Sequence, residues 1–385
     1  MSGDTDMTRT ASRPTVQAQP VCWLGAPAPG GLALPDASPT PSQMYAPRGV
    51  YLDDDLLVVA DSGNHRVLIW HGPPREDHAP ADVVLGQPDF HSEGPQAGGR
   101  GPEKGLYLPT GVGVFDGRLF VADAWNHRVL VWDQVPQTSD VAPDRVLGQA
   151  DRSQVTENRG GPISALGFYW PYGLGFIQGW FYVTDTGNRR VLGWRGLPEP
   201  DQPPDLLLGQ DTFEEGEENR GGPPAGDSFR WPHDVAGDGE TLYVADAGNH
   251  RVLGWTPPPT QDRPGDLVLG QADFASAGEW PYGPQGPQRL RFPYAISLDG
   301  GLLAVADTAN NRVLFWWDPP TTGAFHPADG VIGQPDFQAN GENRWQTVTR
   351  ETLCWPYGLH LHRGRLAVAD SGNNRVMIWQ IQVSS

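Results

Sequence analysis

Six aspartates recur along the chain, Asp61, Asp123, Asp185, Asp246, Asp307 and Asp370, each opening the motif Asp-x-x-Asn-x-Arg-Val. By residue type alone, six carboxylates could hold a metal or move protons. Each, however, is followed five residues later by an arginine: Arg66, Arg128, Arg190, Arg251, Arg312 and Arg375. A guanidinium at that reach pairs with the carboxylate or with turn carbonyls. A pair needed in every copy serves the frame, so the expectation is structural, with no metal bound.

Other candidates lie where the copies differ. A proline precedes each Asp by about fourteen residues, at 47, 109, 171, 232, 293 and 356. After it stand Arg48, Thr110, Tyr172, His233, Tyr294 and Tyr357; before it stand Ala46, Leu108, Trp170, Trp231, Phe292 and Trp355. The first set offers hydrogen bonds, aromatic faces and one guanidinium, the chemistry of a ligand or peptide site. The second set is expected to pack between neighbouring units. Trp125 stands where other copies have Gly or Ala, and Trp280 and Trp345 fall in long connections, so three indoles are expected at the surface as interface anchors. Tyr51 and His360 share a column otherwise filled by Gly, Ala or Ser, and a Tyr–His hydrogen bond is expected between them, with proton transfer as the alternative. His65, His127 and His250 share another column with Arg189, Asn311 and Asn374; that interchange suits an exposed turn position. His-Glu-x-x-His, Cys-x-x-Cys, Gly-x-Ser-x-Gly, Walker and dinucleotide motifs are absent. No catalytic motif is visible and no cofactor is expected.

The elements that position these residues follow from the repeat itself. A tryptophan lies nine residues after each Asp, at 70, 132, 194, 255, 316 and 379, and a Gly-Gln pair follows at Gln87, Gln149, Gln210, Gln271 and Gln334. Each unit reads as four short strands, for example residues 111–114, 119–122, 128–132 and 145–148. The middle strands are apolar on both faces, so both sides of each sheet must be covered. Radially stacked blades meet that demand, and six units give a six-bladed β-propeller. The sixth unit ends without its outer strand, while Trp23-Leu24-Gly25 near the N-terminus matches Val84-Leu85-Gly86. The N-terminal segment is therefore expected to complete the last blade and remove a free edge. Residues 1–20 are read as a flexible tail and 21–385 as one propeller. The Gly-Asn pairs at 63–64, 187–188, 248–249 and 372–373 are expected to take the positive φ angles of tight hairpins.

The columns Pro-x-Gly-Val, Leu-x-Val-Ala-Asp and Gly-Asn-x-Arg-Val, as in Pro109 to Val129, resemble the NHL repeat over all six units. The extra Val-Leu-Gly-Gln-x-Asp-Phe strand and the Glu-Asn-Arg segments at 157, 218 and 342 are similar to bacterial NHL-repeat proteins of unassigned role. The resemblance implies a six-bladed propeller; NHL propellers include protein-interaction platforms, RNA-binding modules, sensor domains and a metal-dependent amidating lyase. Fold does not choose among these.

Composition narrows the field. The 385 residues carry a formal net charge of −19, which repels nucleic-acid phosphates and anionic membranes. Lys104 is the single lysine, so a Schiff-base or lysine-nucleophile chemistry is disfavoured. Two cysteines make no disulfide framework, and the first twenty residues lack an apolar signal core. The expectation is a cytoplasmic, monomeric, non-catalytic module that binds a protein or peptide on its loop-rich face. The alternative is a small-molecule-binding or hydrolase/lyase-type propeller with its site at the channel mouth. RNA binding, through Arg159, Arg220, Arg230, Arg289, Arg291 and Arg344, ranks third because the charge opposes it.

Overall fold

Six sheets stand around a central channel in the computed structural model, which describes residues 15–25, 39–280 and 283–384; five have four antiparallel strands, and the fourth blade adds to its four a short parallel one, Gly323–Ala324. Blade two shows the plan from the channel outward: Val112–Phe115, Arg118–Asp123, Arg128–Trp132 and Arg145–Leu147. Its two central strands read Leu-Phe-Val-Ala and Val-Leu-Val-Trp and are buried on both faces. That burial requires a neighbour on each side, and the apolar clusters accordingly span adjacent blades. One such cluster joins Val58, Ala60 and Ile69 of blade one to Leu119, Leu130 and Trp132 of blade two. Burying each repeated indole removes roughly 150–250 Å² of apolar surface from water, worth about 4–6 kcal/mol before entropy is counted. Five of the six indole N–H groups donate to a carbonyl in the loop between third and fourth strands, as Trp132 does to Val141 at 3.1 Å. Trp379 finds no partner among the described residues. Its blade has no such loop, because its fourth strand comes from the other end of the chain.

That fourth strand is Thr15–Gly25, paired antiparallel with Arg375–Ser384 from Thr15↔Ser384 to Gly25↔Arg375, with one bulge between Pro20 and Cys22. The ring is thus closed as the repeat arithmetic requires. The boundary of the tail needs correction: residues 15–20 are strand, because Ile381–Ser384 extend past the blade and pair with them. The repeat comparison could not see this extension, which has no counterpart in other blades. The rest of the expected tail, residues 1–14, lies outside the described residues.

The motif turns hold each blade together. Asp61 Oδ1 accepts the Tyr45 N–H at 2.7 Å, while Oδ2 accepts Asn64 Nδ2 at 2.9 Å and Arg66 Nε at 2.7 Å. Arg66 then donates to the carbonyls of Phe90, Thr40 and Gln43. The arrangement repeats at Asp123–Arg128, Asp185–Arg190, Asp246–Arg251, Asp307–Arg312 and Asp370–Arg375, all with fully buried side chains. Each carboxylate is filled by donors from its own blade, which leaves no oxygen facing a ligand.

Two expectations about this turn are corrected. The left-handed residue is the one after Asn, with φ of 54–55° at His65, His127, Arg189, His250, Asn311 and Asn374. The glycine two places earlier is there for space: a Cβ on Gly187 would lie 2.4 Å from the Tyr169 carbonyl oxygen. Nor is the His/Asn column exposed. The Nδ1 of His65, His127 and His250 accepts the backbone N–H of Leu108, Trp170 and Phe292 in the next blade, at 3.1–3.2 Å. The Oδ1 of Asn311 and Asn374 accepts those of Trp355 and Ala46 at 2.8 and 2.9 Å. Histidine and asparagine interchange because both tolerate the left-handed region and both offer an acceptor at similar reach. Burial lowers the pKa of all three histidines, His250 to about 4, which keeps the accepting nitrogen unprotonated. Arg189 has no acceptor to offer, and Trp231, its counterpart in the next blade, is the one residue of the pre-proline column without a positive φ.

Candidate functional site

The residues after the repeated prolines meet at one end of the channel. Each lies at or just before the start of an inner strand, and the sixfold arrangement carries them inward. Tyr172 and His233 rings lie 4.5 Å apart, His233 stacks on Tyr294 at 4.3 Å, and Tyr294 lies 4.8 Å from Tyr357. The Arg48 guanidinium sits over the Tyr357 ring at 5.0 Å. Trp170 meets Tyr172 and His233 edge-on, while Trp355 stacks near Tyr357 at 6.5 Å. Blades three to six thus supply an aromatic crescent. Blades one and two close the circle with Arg48 and Thr110, and Thr110 is turned away, donating to the Tyr172 carbonyl at 3.0 Å.

Behind this mouth the channel encloses about 190 Å³ and becomes apolar toward Phe115, Phe176, Ile177 and Leu298. Burial dominates its electrostatics. It depresses His233 to about 3, and the ring stays neutral with Nδ1–H donated to the Trp231 carbonyl at 2.9 Å. It pushes the Tyr294 phenol up to about 12, raises Tyr172 and Tyr357 as well, and the nearby Arg48 partly opposes the rise in all three. The Tyr172 hydroxyl is buried and has no hydrogen-bond partner among the described residues.

Asp234 was missed by sequence reasoning. It follows His233 in a column otherwise filled by Gly49, Gly111, Gly173, Ala295 and Gly358, a departure that was the available signal. Its Oδ2 accepts the Ile296 N–H of the next blade at 3.0 Å and its Oδ1 that of Val235 at 2.9 Å. Burial raises its pKa to about 7.

Tyr51 and His360 are adjacent in the channel wall, with ring centroids 4.7 Å apart, but they do not hydrogen-bond. The Tyr51 hydroxyl donates to Asp53 at 2.9 Å, and His360 Nδ1 accepts the Leu52 N–H at 3.3 Å. Ser297 and Asp234 do the same for Leu361 and Ile296, so this histidine is one of several side chains stitching inner strands together. Burial holds it neutral, near 4.

The long connections lie on the mouth side, and part of their elaboration is a fastening. Asn158, Asn219 and Asn343 of the Glu-Asn-Arg segments bond the motif residues Asn188, Asn249 and Asn373 through their amides. Gln96 and Gln285 do likewise with Asn126 and Asn310. Most of the arginines there are matched by carboxylates: Arg159 with Asp201, Arg220 with Asp211, Asp227 and Asp262, Arg230 with Glu218, and Arg291 with Glu279. Arg344 donates to the Gly333 and Glu351 carbonyls, and Arg289 to that of Pro284. No continuous basic surface results. The three indoles stand out from this fabric. Trp125 and Trp280 are about half exposed; Trp125 lies 5.6 Å from the Tyr107 ring, and Arg289 covers one side of Trp280. Trp345 is 79% exposed. It has φ 57° where the equivalent residues of two other segments are Gly160 and Gly221.

Among the described residues no group of three His, Cys, Asp or Glu side chains is placed to hold a metal ion. No helix among the described residues is long and apolar enough to cross a membrane.

Three stretches, residues 44–70, 106–132 and 229–255, match the NHL repeat. No curated protein matches the sequence. Similar solved structures include a structural genomics protein of unknown function from Bacteroides thetaiotaomicron, at 11% identity and TM-score 0.50 over 96% of this chain and 77% of that one. Virginiamycin B lyase from Staphylococcus aureus shows 10% identity and TM-score 0.47 over 96% and 99%. A nidogen/laminin complex shows 16% and 0.44 over 80% and 95%. Likeness at this level speaks to fold alone.

Proposed function

We propose that this six-bladed propeller of NHL repeats is an interaction module, binding a protein or peptide on the face around the channel mouth. Trp345 carries the reading. A bulky side chain in the left-handed region costs of order 1–3 kcal/mol, and this one recovers little of it by packing because it stands in solvent. Glycine occupies that place in two sister segments without such a cost. An exposed indole held at that cost fits an anchor awaiting a partner. Trp125 and Trp280 widen the same face, and the aromatic crescent gives it a recess for an inserted side chain or chain end.

The test is affinity capture from cells that make the protein, followed by titration of the captured partner. Trp345→Ala and Trp125→Ala are each expected to weaken binding at least tenfold while leaving the melting temperature unchanged. Equal affinity for wild type and both variants would show that this face is the wrong one.

A second reading rests on Asp234. A buried carboxyl in the channel lining whose pKa lies near 7 has the acidity of a general acid or base. That would suit a hydrolase- or lyase-type site on a small molecule. Its two oxygens already accept backbone N–H groups, so the interaction module is preferred.

A further inference from the structure

Arg48 is the one cation among the described residues lining the channel, and no described carboxylate pairs with it. It makes no ion pair and no side-chain hydrogen bond among the described residues; its one described side-chain contact is the Tyr357 ring face. That is unusual in a chain with 46 acidic and 27 basic residues, where six arginines are locked to motif aspartates and most surface arginines have carboxylates of their own. The Tyr172 hydroxyl, buried and without a hydrogen-bond partner among the described residues, lines the same channel, and the guanidinium opposes the rise of the phenol's pKa. The single acid in the lining, Asp234, has both oxygens occupied by backbone N–H groups and forms no pair with Arg48. His233 is neutral and adds no charge.

We propose that Arg48 and the Tyr172 hydroxyl form a carboxylate-binding site at the channel mouth, with the aromatic crescent holding the apolar body that bears the carboxylate. A guanidinium presents a planar fork of donors that matches two carboxylate oxygens, and a neighbouring hydroxyl adds a further donor. One cation suits a monoanion. A phosphate dianion would meet a single positive charge inside a strongly acidic protein and be poorly compensated. The rings of Tyr294, Tyr357 and His233 offer flat faces for an aromatic or aliphatic group, and the volume admits a side chain rather than a folded segment. Two sources share this chemistry: the C-terminus of a polypeptide and a small aromatic acid. The site deepens the interaction reading, because a chain end is the part of a partner that could enter the mouth.

The experiment is calorimetric titration of the full chain with two matched pairs of probes. One pair is the tripeptide Gly-Ser-Phe with a free or an amidated C-terminus; the other is 3-phenylpropanoate and its amide. In at least one pair the acid is expected to bind at least tenfold more tightly than the amide, and the pair concerned identifies the source. Arg48→Gln should bring the ratio to within twofold of unity, and Arg48→Lys should retain part of it. Tyr172→Phe should weaken the acid severalfold and leave the amide unchanged, a result that a merely structural role would not produce. Circular dichroism melting of each variant guards against misfolding. Acid and amide binding alike in both pairs, neither binding, or a ratio that survives Arg48→Gln would overturn the site. The partner titrations with Trp345→Ala judge the face separately, so either idea can fail while the other stands.

Discussion

The ring of motif turns and the collar at the channel mouth are built from the same repeat, yet they treat polar groups in opposite ways. In the motif ring six copies agree, and each aspartate meets a backbone N–H, an asparagine and an arginine. In the collar the copies disagree, and there, among the described residues, a guanidinium has no ion pair and a phenol no hydrogen bond. Satisfied polar groups hold a fold; unsatisfied ones at an opening are available to something else. The contrast separates scaffold from site more sharply than residue type does, since carboxylates and arginines occur in both.

The contrast can be broken most easily in the ring. Asp185→Ala leaves Arg190 and Asn188 buried without their acceptor, and a loss of about 3–5 kcal/mol is expected in chemical denaturation. A loss below about 1 kcal/mol would mean the ring is not the scaffold. Asp234 stands between the two regions, half fastening and half site. Its folded pKa near 7 lies above its ordinary value of 3.8, so the folded state holds the proton more tightly than the unfolded one. The contribution of Asp234 to stability should therefore be fullest below pH 4 and be lost as pH rises toward 7, by at most about 4 kcal/mol. Asp234→Asn should flatten that slope in melts across pH 4–8; an unchanged slope would assign it to other groups.

Smaller effects sharpen the picture. His127→Ala should cost about 1 kcal/mol by freeing the Trp170 N–H, whereas His127→Asn should stay within about 0.5 kcal/mol of wild type. Equal losses would deny that the column works through its acceptor. Tyr172→Phe deletes a hydroxyl with no hydrogen-bond partner among the described residues, so the melting temperature should hold or rise slightly. A drop of several degrees would give that hydroxyl a structural task.

The fold was legible because a propeller writes its geometry into the sequence at a fixed interval. The spacing of Asp61, Asp123 and their successors carried the blade count, and Trp23-Leu24-Gly25 carried the closure. Local conformation was read less well. Gly63 and Asn64 looked like the left-handed residues, but the steric demand is set by Tyr45 across the turn, a contact no linear pattern displays. His65 and its column looked like surface residues because their partner lies about forty positions away in the next blade. The collar could be named because variation within a column is visible in six copies. Asp234 escaped notice because its departure from a column of Gly and Ala marks a change without showing that the side chain reaches the next blade.

The closing strand also sets an order of events. Thr15 and Ser384 are 369 positions apart, against about a dozen for hairpins within a blade. At about 0.6 kcal/mol per doubling of loop length, the last closure costs about 3 kcal/mol more than an ordinary one. On a ribosome Thr15–Gly25 must wait for Arg375–Ser384, roughly 20–70 s at ordinary elongation rates. Throughout that wait two apolar strand edges, one near each end of the chain, lack their partners. The molecule is thus most exposed to wrong pairing in the interval before its two ends meet.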